Sequence, residues 1–218
     1  MNFDLPSWTR LWRQLISRDN AEHWFNEISR RYNEPHRHYH NAQHIGECLR
    51  EFAGIRDQTT HPTELELALW LHDVIYDPQR SDNEDQSKIF AAQLLTDAGA
   101  PAPFTQHVLD LIEATKHNCD PADEGAQLII DIDLSILGQP SDRFWQYEKQ
   151  IRAEYSFVPD QTFRAKRAEI LKLFLARPRI YHTDHFQRRY ETQARANLAA
   201  SISQLLTPTP NGNKKASF

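Results

Sequence analysis

Histidine and aspartate, side chains suited to binding a transition metal and moving protons, are concentrated in three segments of this chain. The segment YHNAQHI (39–45) holds two histidines four positions apart, and LHDVIYD (71–77) holds a His–Asp doublet. The segment LIIDIDLSILG (128–138) holds two aspartates in a strongly apolar setting. Because buried carboxylates are normally paired or bound to metal, these aspartates are expected to have a partner.

Local helix geometry can bring the histidines of the first segment together. Asn41 is a suitable N-cap, which would place His44 in the first turn and His40 just before the cap. If the helix starts earlier, His40 lies one turn from His44 on the same face. His72 and Asp73 are consecutive, so on a regular helix their directions differ by about 100°. The two side chains can bind one ion only if the ion lies between these two directions.

Helical periodicity predicts the elements that position these residues. The chain has only 6 glycines and no sustained strand-type alternation. Helices are predicted from a Ser7 cap, from Asn20 to a stop at Pro35, and from a cap at Ser81 or Asp82 to a terminator at Gly99. The further predicted helical segments are 41–55, 62–78, 102–118, 141–157, 160–178 and 190–206.

These segments predict one all-α domain. Loops between them are short and no repeat or linker is evident, so the domain is assigned to residues 1–206. The remaining residues, 207–218, contain proline, glycine, asparagine and lysine but little to bury, and they are expected to be disordered.

The order of the three segments resembles the HD superfamily of metal-dependent phosphohydrolases, whose pattern is H…HD…D. The arrangement, including ELALWLHDVIYD, NEDQSK and IRAEYSFVP, resembles a group of predicted HD phosphohydrolases along nearly all of the chain. YHNAQHI is also similar to the opening motif of the cyclic-nucleotide phosphodiesterases, a distant branch with the same helical core. The resemblance implies an HD-domain helical bundle.

The resemblance also implies roles for individual residues. In the phosphodiesterase branch the first histidine of the motif protonates the leaving oxygen and the second binds metal, which implies His40 as acid and His44 as ligand. The last ligand of the family belongs to an AD-x-L-like segment, which favours Asp133, followed by Leu134, over Asp131. The implied metal ligands are His44, His72, Asp73 and Asp133.

This ligand set predicts a particular class of metal and reaction. Imidazole and carboxylate suit Zn, Mn, Fe, Co or Ni, and Mg is less favoured because two ligands are histidines. Four protein ligands leave positions for water, whose pKa falls from 15.7 toward about 7 on a strong Lewis acid. The resulting hydroxide could attack phosphorus while His40 supplies the proton.

Six further residues are candidates for the same site. Glu84 either orients the nucleophilic water or is only an acid at a helix N-terminus. His117 either contacts phosphate or a second metal, or is a histidine favourably placed at a helix C-terminus. Lys116 is either a phosphate contact or a solvated surface group.

The other three candidates lie in the segment IRAEY. Arg152, Glu154 and Tyr155 either line the substrate pocket or form an ordinary polar contact between helices, and the polar contact is favoured for them.

Three classes of function compete. The leading one is hydrolysis of a phosphate ester or anhydride of a small molecule, with a nucleotide favoured. The second is an HD-fold dinuclear iron oxygenase, which requires further histidine ligands. After the HD segment the chain offers only Glu84, Asp85 and Ser87 where dinuclear proteins carry another histidine, and this counts against a second ion. The third is a regulatory module that binds a nucleotide or metal without turnover.

The composition indicates which classes of partner and which cell compartment suit the protein. A net charge of −5 and a pI of about 6.1 argue against binding of long nucleic acids. Two cysteines without CxxC spacing suit a reducing compartment. No signal peptide is expected, and the longest uninterrupted apolar run (67–71) is far too short for a membrane span. We therefore expect a cytoplasmic protein with a small phosphorylated substrate, whereas the sequence does not determine its oligomeric state.

Overall fold

The computed structural model describes residues 1–15, 20–117 and 121–207. Within these ranges it contains ten α-helices, two 3₁₀ helices (Arg56–Gln58 and Leu134–Gly138) and no β-strand, which confirms the all-α prediction. The α-helices are α1 (Leu5–Leu15), α2 (Ala21–Tyr32), α3 (Ala42–Ala53), α4 (Pro62–Leu71), α5 (Asn83–Ala98), α6 (Ala102–Ala114), α7 (Glu124–Asp133), α8 (Ser141–Glu154), α9 (Asp160–Ala176) and α10 (Asp184–Leu206).

Two predicted helix ends are confirmed. The side-chain oxygen of Asn41 accepts a hydrogen bond from the backbone N–H of Gln43 at 2.9 Å, so Asn41 caps α3. Gly99 ends α5 with a left-handed backbone (φ +71°), a conformation that glycine adopts without steric cost. These ends follow from local chemistry, which is why the sequence specifies them.

Two other predicted helix starts are wrong. Helix α1 begins at Leu5 rather than at a Ser7 cap, because the Asp4 carboxylate accepts the Ser7 backbone N–H at 2.8 Å. Helix α10 begins at Asp184, six positions before the predicted start at Tyr190. Its first turn contributes buried Phe186, so the apolar face extends beyond the predicted segment.

The helix predicted over 62–78 ends early, at Leu71. The guanidinium of buried Arg37 donates hydrogen bonds to the backbone oxygens of Asp73 (2.6 Å) and Val74 (3.0 Å). The Val74 backbone N–H donates to the Leu71 carbonyl at 3.1 Å, which is a tighter turn than the α-helical pattern, and Arg37 binds the carbonyls that follow. Asp73 therefore lies in irregular backbone, and the 100° separation of a regular helix does not apply to the His–Asp doublet.

Helix α4 is the centre of the core. Residues 65–71 are all buried, because α1, α3, α5, α6 and α7 pack around this helix. The buried carboxylate of Glu66 is compensated by ion pairs with Arg10 and Arg56.

Buried side chains from Trp8 in α1 to Leu198 in α10 form one contiguous cluster. Of the predicted disordered tail, Thr207 is described and residues 208–218 lie outside the described ranges. None of the helices in the described ranges combines the length and apolar character needed to cross a bilayer.

Candidate metal and acid–base site

Four side chains from three helix ends converge at one place. His44 lies in the first turn of α3, His72 and Asp73 directly follow α4, and Asp133 is the last residue of α7. The Nε2 atoms of His44 and His72 are 3.2 Å apart, and His44 Nε2 lies 3.2 Å from Asp133 Oδ1. Asp73 Oδ2 lies 3.4 Å from His44 Nε2 and 3.2 Å from His72 Nε2. We call these four residues the ligand cluster.

Neighbouring groups orient the two imidazoles for metal binding. His72 Nδ1 lies 3.1 Å from the Leu69 carbonyl oxygen, so Nδ1–H donates there and leaves the Nε2 lone pair facing the cluster. His44 Nδ1 lies 3.7 Å from the sulfur of buried Cys48. Both rings are buried and cannot readily turn away, which is the arrangement expected of histidine ligands.

The donor spacing fits a single divalent ion. Bonds of about 2.0–2.1 Å to a tetrahedral metal place neighbouring donors about 3.4 Å apart. The ligand atoms of His44, His72 and Asp133 all lie within 4.8 Å of one another, and Asp73 Oδ2 lies within 3.4 Å of both histidines. The residues can therefore hold a metal ion, and nitrogen and oxygen donors are those that transition metals accept.

Within the ligand cluster the histidines and the carboxylates shift each other's pKa values toward the charged forms. Burial would raise the pKa of Asp73 and of Asp133, but the histidines beside them hold both pKa values well below the usual range. Burial conversely disfavours protonated His44 and His72, but the surrounding acceptors, the two carboxylates among them, raise both histidine pKa values. A metal must displace these protons, so its binding depends on pH.

The structure separates the two aspartates of the DID segment. Asp133 faces the two histidines of the ligand cluster, whereas Asp131 is fully buried on another side of α7. The Asp131 carboxylate accepts hydrogen bonds from the backbone N–H groups of His182 (2.8 Å) and Thr183 (2.7 Å) and from the Thr183 hydroxyl (2.7 Å). Through these hydrogen bonds Asp131 holds the segment that precedes α10 against α7.

His40 lies beside the ligand cluster and is held by a buried carboxylate. Its Nδ1 is 2.7 Å from Glu154 Oε2, and its ring stacks on Tyr76 with centroids 4.1 Å apart. The Tyr76 hydroxyl donates to the same oxygen of Glu154 at 2.9 Å. With Nδ1 bound to Glu154, Nε2 is the nitrogen of His40 that remains for proton transfer.

Glu154, for which the sequence left open a place in the pocket or an ordinary polar contact between helices, is a positioning residue that binds His40. Its Oε1 accepts the backbone N–H groups of His38, Tyr39 and His40 at 2.7–2.9 Å. Burial would raise the pKa of this carboxyl, but the bonds from His40 and these amides lower it to about 2. One signal was present in the sequence, because Glu154 continues the buried face of Phe144, Tyr147 and Ile151 in α8.

Arg37 is a second positioning residue that the sequence did not reveal. One guanidinium nitrogen donates both to the His40 carbonyl (3.1 Å) and to the Asp73 carbonyl (2.6 Å). The side chain is buried over the rings of Tyr32 and Tyr76. Arg37 therefore joins the backbone of the histidine motif to that of the His–Asp doublet.

A cavity of about 190 Å³ joins these groups. Three members of the ligand cluster and His40 line it, Glu84 and His117 lie on its polar side, and Leu171 and Phe174 of α9 form part of its apolar wall. Burial raises the pKa of Glu84, which makes it a better proton acceptor than an exposed glutamate. His117 has an uncommon left-handed backbone (φ 55°), and its Nε2 lies 2.9 Å from Asp133 Oδ2.

The other predicted substrate contacts lie in different surroundings. Lys116 Nζ pairs with Asp85 (2.8 Å) and Glu113 (2.9 Å). Arg152 donates to the carbonyl oxygens of Tyr155 and Val158 and lines a separate cavity beside α9. The Tyr155 ring packs on Phe157 and Phe163. Arg152 and Tyr155 thus take part in the local helix contacts that the sequence favoured for them.

Comparisons with protein-family models, with curated proteins and with solved structures gave no match to this chain. Its function is therefore inferred from the site. The site combines a cluster able to hold a divalent ion, an imidazole backed by a carboxylate, and a cavity shared by both. Such a combination can polarise a substrate and deliver a proton within one enclosed volume.

Proposed function

We propose that this chain is a metal-dependent phosphohydrolase of the HD type, which cleaves a phosphate ester or anhydride of a small molecule, with nucleotides as the favoured class. The observation that carries the proposal is that three members of the ligand cluster line the same cavity as His40, whose ring is held by Glu154. A structural metal site would not need a carboxylate-backed histidine beside it. The order of the H…HD…D segments supports the same conclusion.

The ligand cluster suits a Zn, Mn, Fe, Co or Ni ion better than Mg, because two of its four donors are imidazoles. When bound, such an ion lowers the pKa of water and takes up charge that develops on a phosphoryl oxygen. The protein contributes orientation, because Leu69 and Cys48 hold the two histidine rings and His117 holds the second oxygen of Asp133.

His40 is the general acid in this proposal. Nδ1–H donates to ionised Glu154, which leaves Nε2 as the nitrogen that carries the transferred proton, while stacking on Tyr76 fixes the plane of the ring. The proton on Nε2 passes to the leaving oxygen as its bond to phosphorus breaks. Deprotonated His40 then remains hydrogen-bonded to Glu154 and can take a proton back from solvent, since its side chain is 23% exposed.

Glu84 and His117 act on the nucleophile and the phosphate in this proposal. Glu84 projects from the first turn of α5 into the cavity, and its raised pKa suits it to orient a water molecule and accept its proton. His117 would reach a phosphoryl oxygen beside Asp133 by exchanging its Nε2 contact with Asp133 Oδ2 for the substrate.

Cavity size limits how the substrate fits. Sites that enclose a drug-sized ligand have volumes of about 300–1,000 Å³. The cavity here, about 190 Å³, can enclose a phosphoryl group and the leaving oxygen but not a whole nucleotide. The remainder of the substrate would therefore lie at the cavity mouth, where selectivity for the leaving group is set.

The deciding experiment compares His40→Ala with wild type on two phosphate esters, one with a nitrophenol leaving group and one with an alcohol. We expect His40→Ala to keep its metal and to lose about 100- to 10,000-fold in turnover of the alcohol ester. The loss should be much smaller for the nitrophenyl ester, because nitrophenolate departs without a proton. His38→Ala, which removes an exposed histidine of the same loop, is the matched control.

An equal loss on both esters, or loss of metal from His40→Ala, would remove the acid assignment. Metal analysis and a nucleotide panel on the same wild-type sample test the wider proposal. Protein that holds a full complement of metal and turns over none of the phosphate esters would instead favour the regulatory module.

A further inference from the structure

A second group of histidine and carboxylate side chains lies at the opposite end of α4 from the ligand cluster. His61 immediately precedes α4, Glu64 is in its first turn, and His107 comes from the neighbouring helix α6. His61 Nδ1 is 3.1 Å from Glu64 Oε1, and His107 Nδ1 is 3.9 Å from the same oxygen. None of these three residues belongs to the motifs that the sequence offered for the candidate active site.

Their geometry resembles that of a metal site more than that of a simple ion pair. One potential ligand atom from each residue lies within 4.8 Å of the other two. The two imidazole rings are 4.7 Å apart and nearly perpendicular, with an interplanar angle of 80°. The distances from Glu64 Oε1 to His61 Nδ1 (3.1 Å) and to His107 Nδ1 (3.9 Å) lie on either side of 3.4 Å. A separation of about 3.4 Å is expected between donor atoms on a tetrahedral ion. A pair between His61 and Glu64 alone would not need a second imidazole beside it.

We propose that His61, Glu64 and His107 form a second site for a divalent transition metal ion of the zinc group. Two nitrogen donors and one carboxylate favour such ions over calcium and magnesium. The site is accessible from solvent, since the side chains of His61 and His107 are 55% and 23% exposed. Three protein donors leave at least one coordination position open for water or another ligand.

A cavity provides room for that open position. His61 and His107 both line a cavity of about 190 Å³, together with Thr59 and Asp123. Asp123 does not compete for the metal with its Oδ1, because this oxygen caps α7 by accepting the Ala126 N–H at 2.8 Å. The ion would therefore face a small recess with both polar and apolar walls rather than closed protein.

An ion at this position would join two helices that lead to the candidate active site. Helices α4 and α6 pack along each other, and their C-terminal ends precede His72 and His117. Because an ion that binds only the folded state stabilises it, zinc should raise the melting temperature through this site even when the ligand cluster is disabled.

The test measures zinc binding to the full chain, with Zn²⁺ alone as the probe. The double variant His44→Ala/His72→Ala, which lacks both imidazoles of the ligand cluster, should still bind one zinc ion per chain by titration calorimetry. Adding His107→Gln should abolish that binding and the accompanying rise in melting temperature. His23→Gln, which replaces an exposed histidine of α2, should have no effect in the same background.

The proposal is overturned if the double variant binds no zinc while wild type does, or if His107→Gln leaves its zinc stoichiometry unchanged. If the double variant does not fold, single His61→Gln and His107→Gln variants decide the matter, because each should lower the wild-type zinc stoichiometry by one. Failure of the proposed hydrolase would not affect these measurements, since they record metal binding without turnover.

Discussion

Replacing Glu154 by glutamine should both destabilise the fold and disable the acid–base pair. The substitution keeps the shape of the side chain but removes its charge and one acceptor oxygen. In the structure Oε1 accepts three backbone N–H groups and Oε2 accepts from His40 and the Tyr76 hydroxyl. A glutamine NH₂ group at either position would face donors instead of accepting from them.

The size of the stability loss follows from the Glu154 pKa. In the folded protein this pKa is about 2, against an ordinary value of 4.5. Each pKa unit corresponds to about 1.4 kcal/mol, so folding favours the carboxylate over the neutral acid by about 3 kcal/mol. Because glutamine resembles the neutral acid, Glu154→Gln should lower the free energy of unfolding by about this amount at pH 7.

The same effect should depend on pH in a defined direction. A lowered folded-state pKa contributes stability that is fully present above pH 4.5 and is lost as the pH falls from 4.5 to about 2. The variant lacks this contribution at every pH, so the difference between the two proteins should shrink over that interval. Urea unfolding at several pH values, in chelator so that metal binding does not contribute, measures the difference.

Glu169→Gln, at a glutamate 63% exposed, is the control and should change stability by less than about 0.5 kcal/mol. Turnover provides a second test, since Glu154→Gln and His40→Ala should each reduce it, and the double variant should be little worse than either alone. Equal stability of Glu154→Gln and wild type at pH 7, a pH-independent difference between them, or additive losses of turnover would refute the reasoning.

Three further outcomes are expected. His72→Ala should lose most of the metal that the ligand cluster holds and melt at a lower temperature than metal-loaded wild type, and full metal retention in elemental analysis would contradict this. Because the pKa of His72 is raised, protons compete with metal more strongly as the pH falls, so calorimetry should show weaker metal binding and greater proton release at lower pH. Asp133→Asn should weaken metal binding more than Asp131→Asn, which should instead mainly reduce stability; the reverse order would transfer the ligand role. 

The sequence by itself determined the features that depend on neighbouring residues. Apolar periodicity predicted an all-α fold, and the confirmed ends of α3 and α5 follow from Asn41 and Gly99. Of the two placements of His40 that the sequence left open, the one based on the Asn41 cap is correct, with His40 before the cap and His44 in the first turn. Caps and helix periodicity act within a few residues, so they can be recognised without the tertiary structure.

Tertiary structure decided which side chains meet. Asp131 and Asp133 are two positions apart, which turns them to different sides of α7, and only the packing of that helix directs Asp133 toward the histidines. Arg37 binds carbonyls 36 and 37 positions away, just beyond the end of α4, and Glu154 binds a loop 114–116 positions earlier. Such pairings leave no local periodic pattern, because they depend on where separate helices end in space.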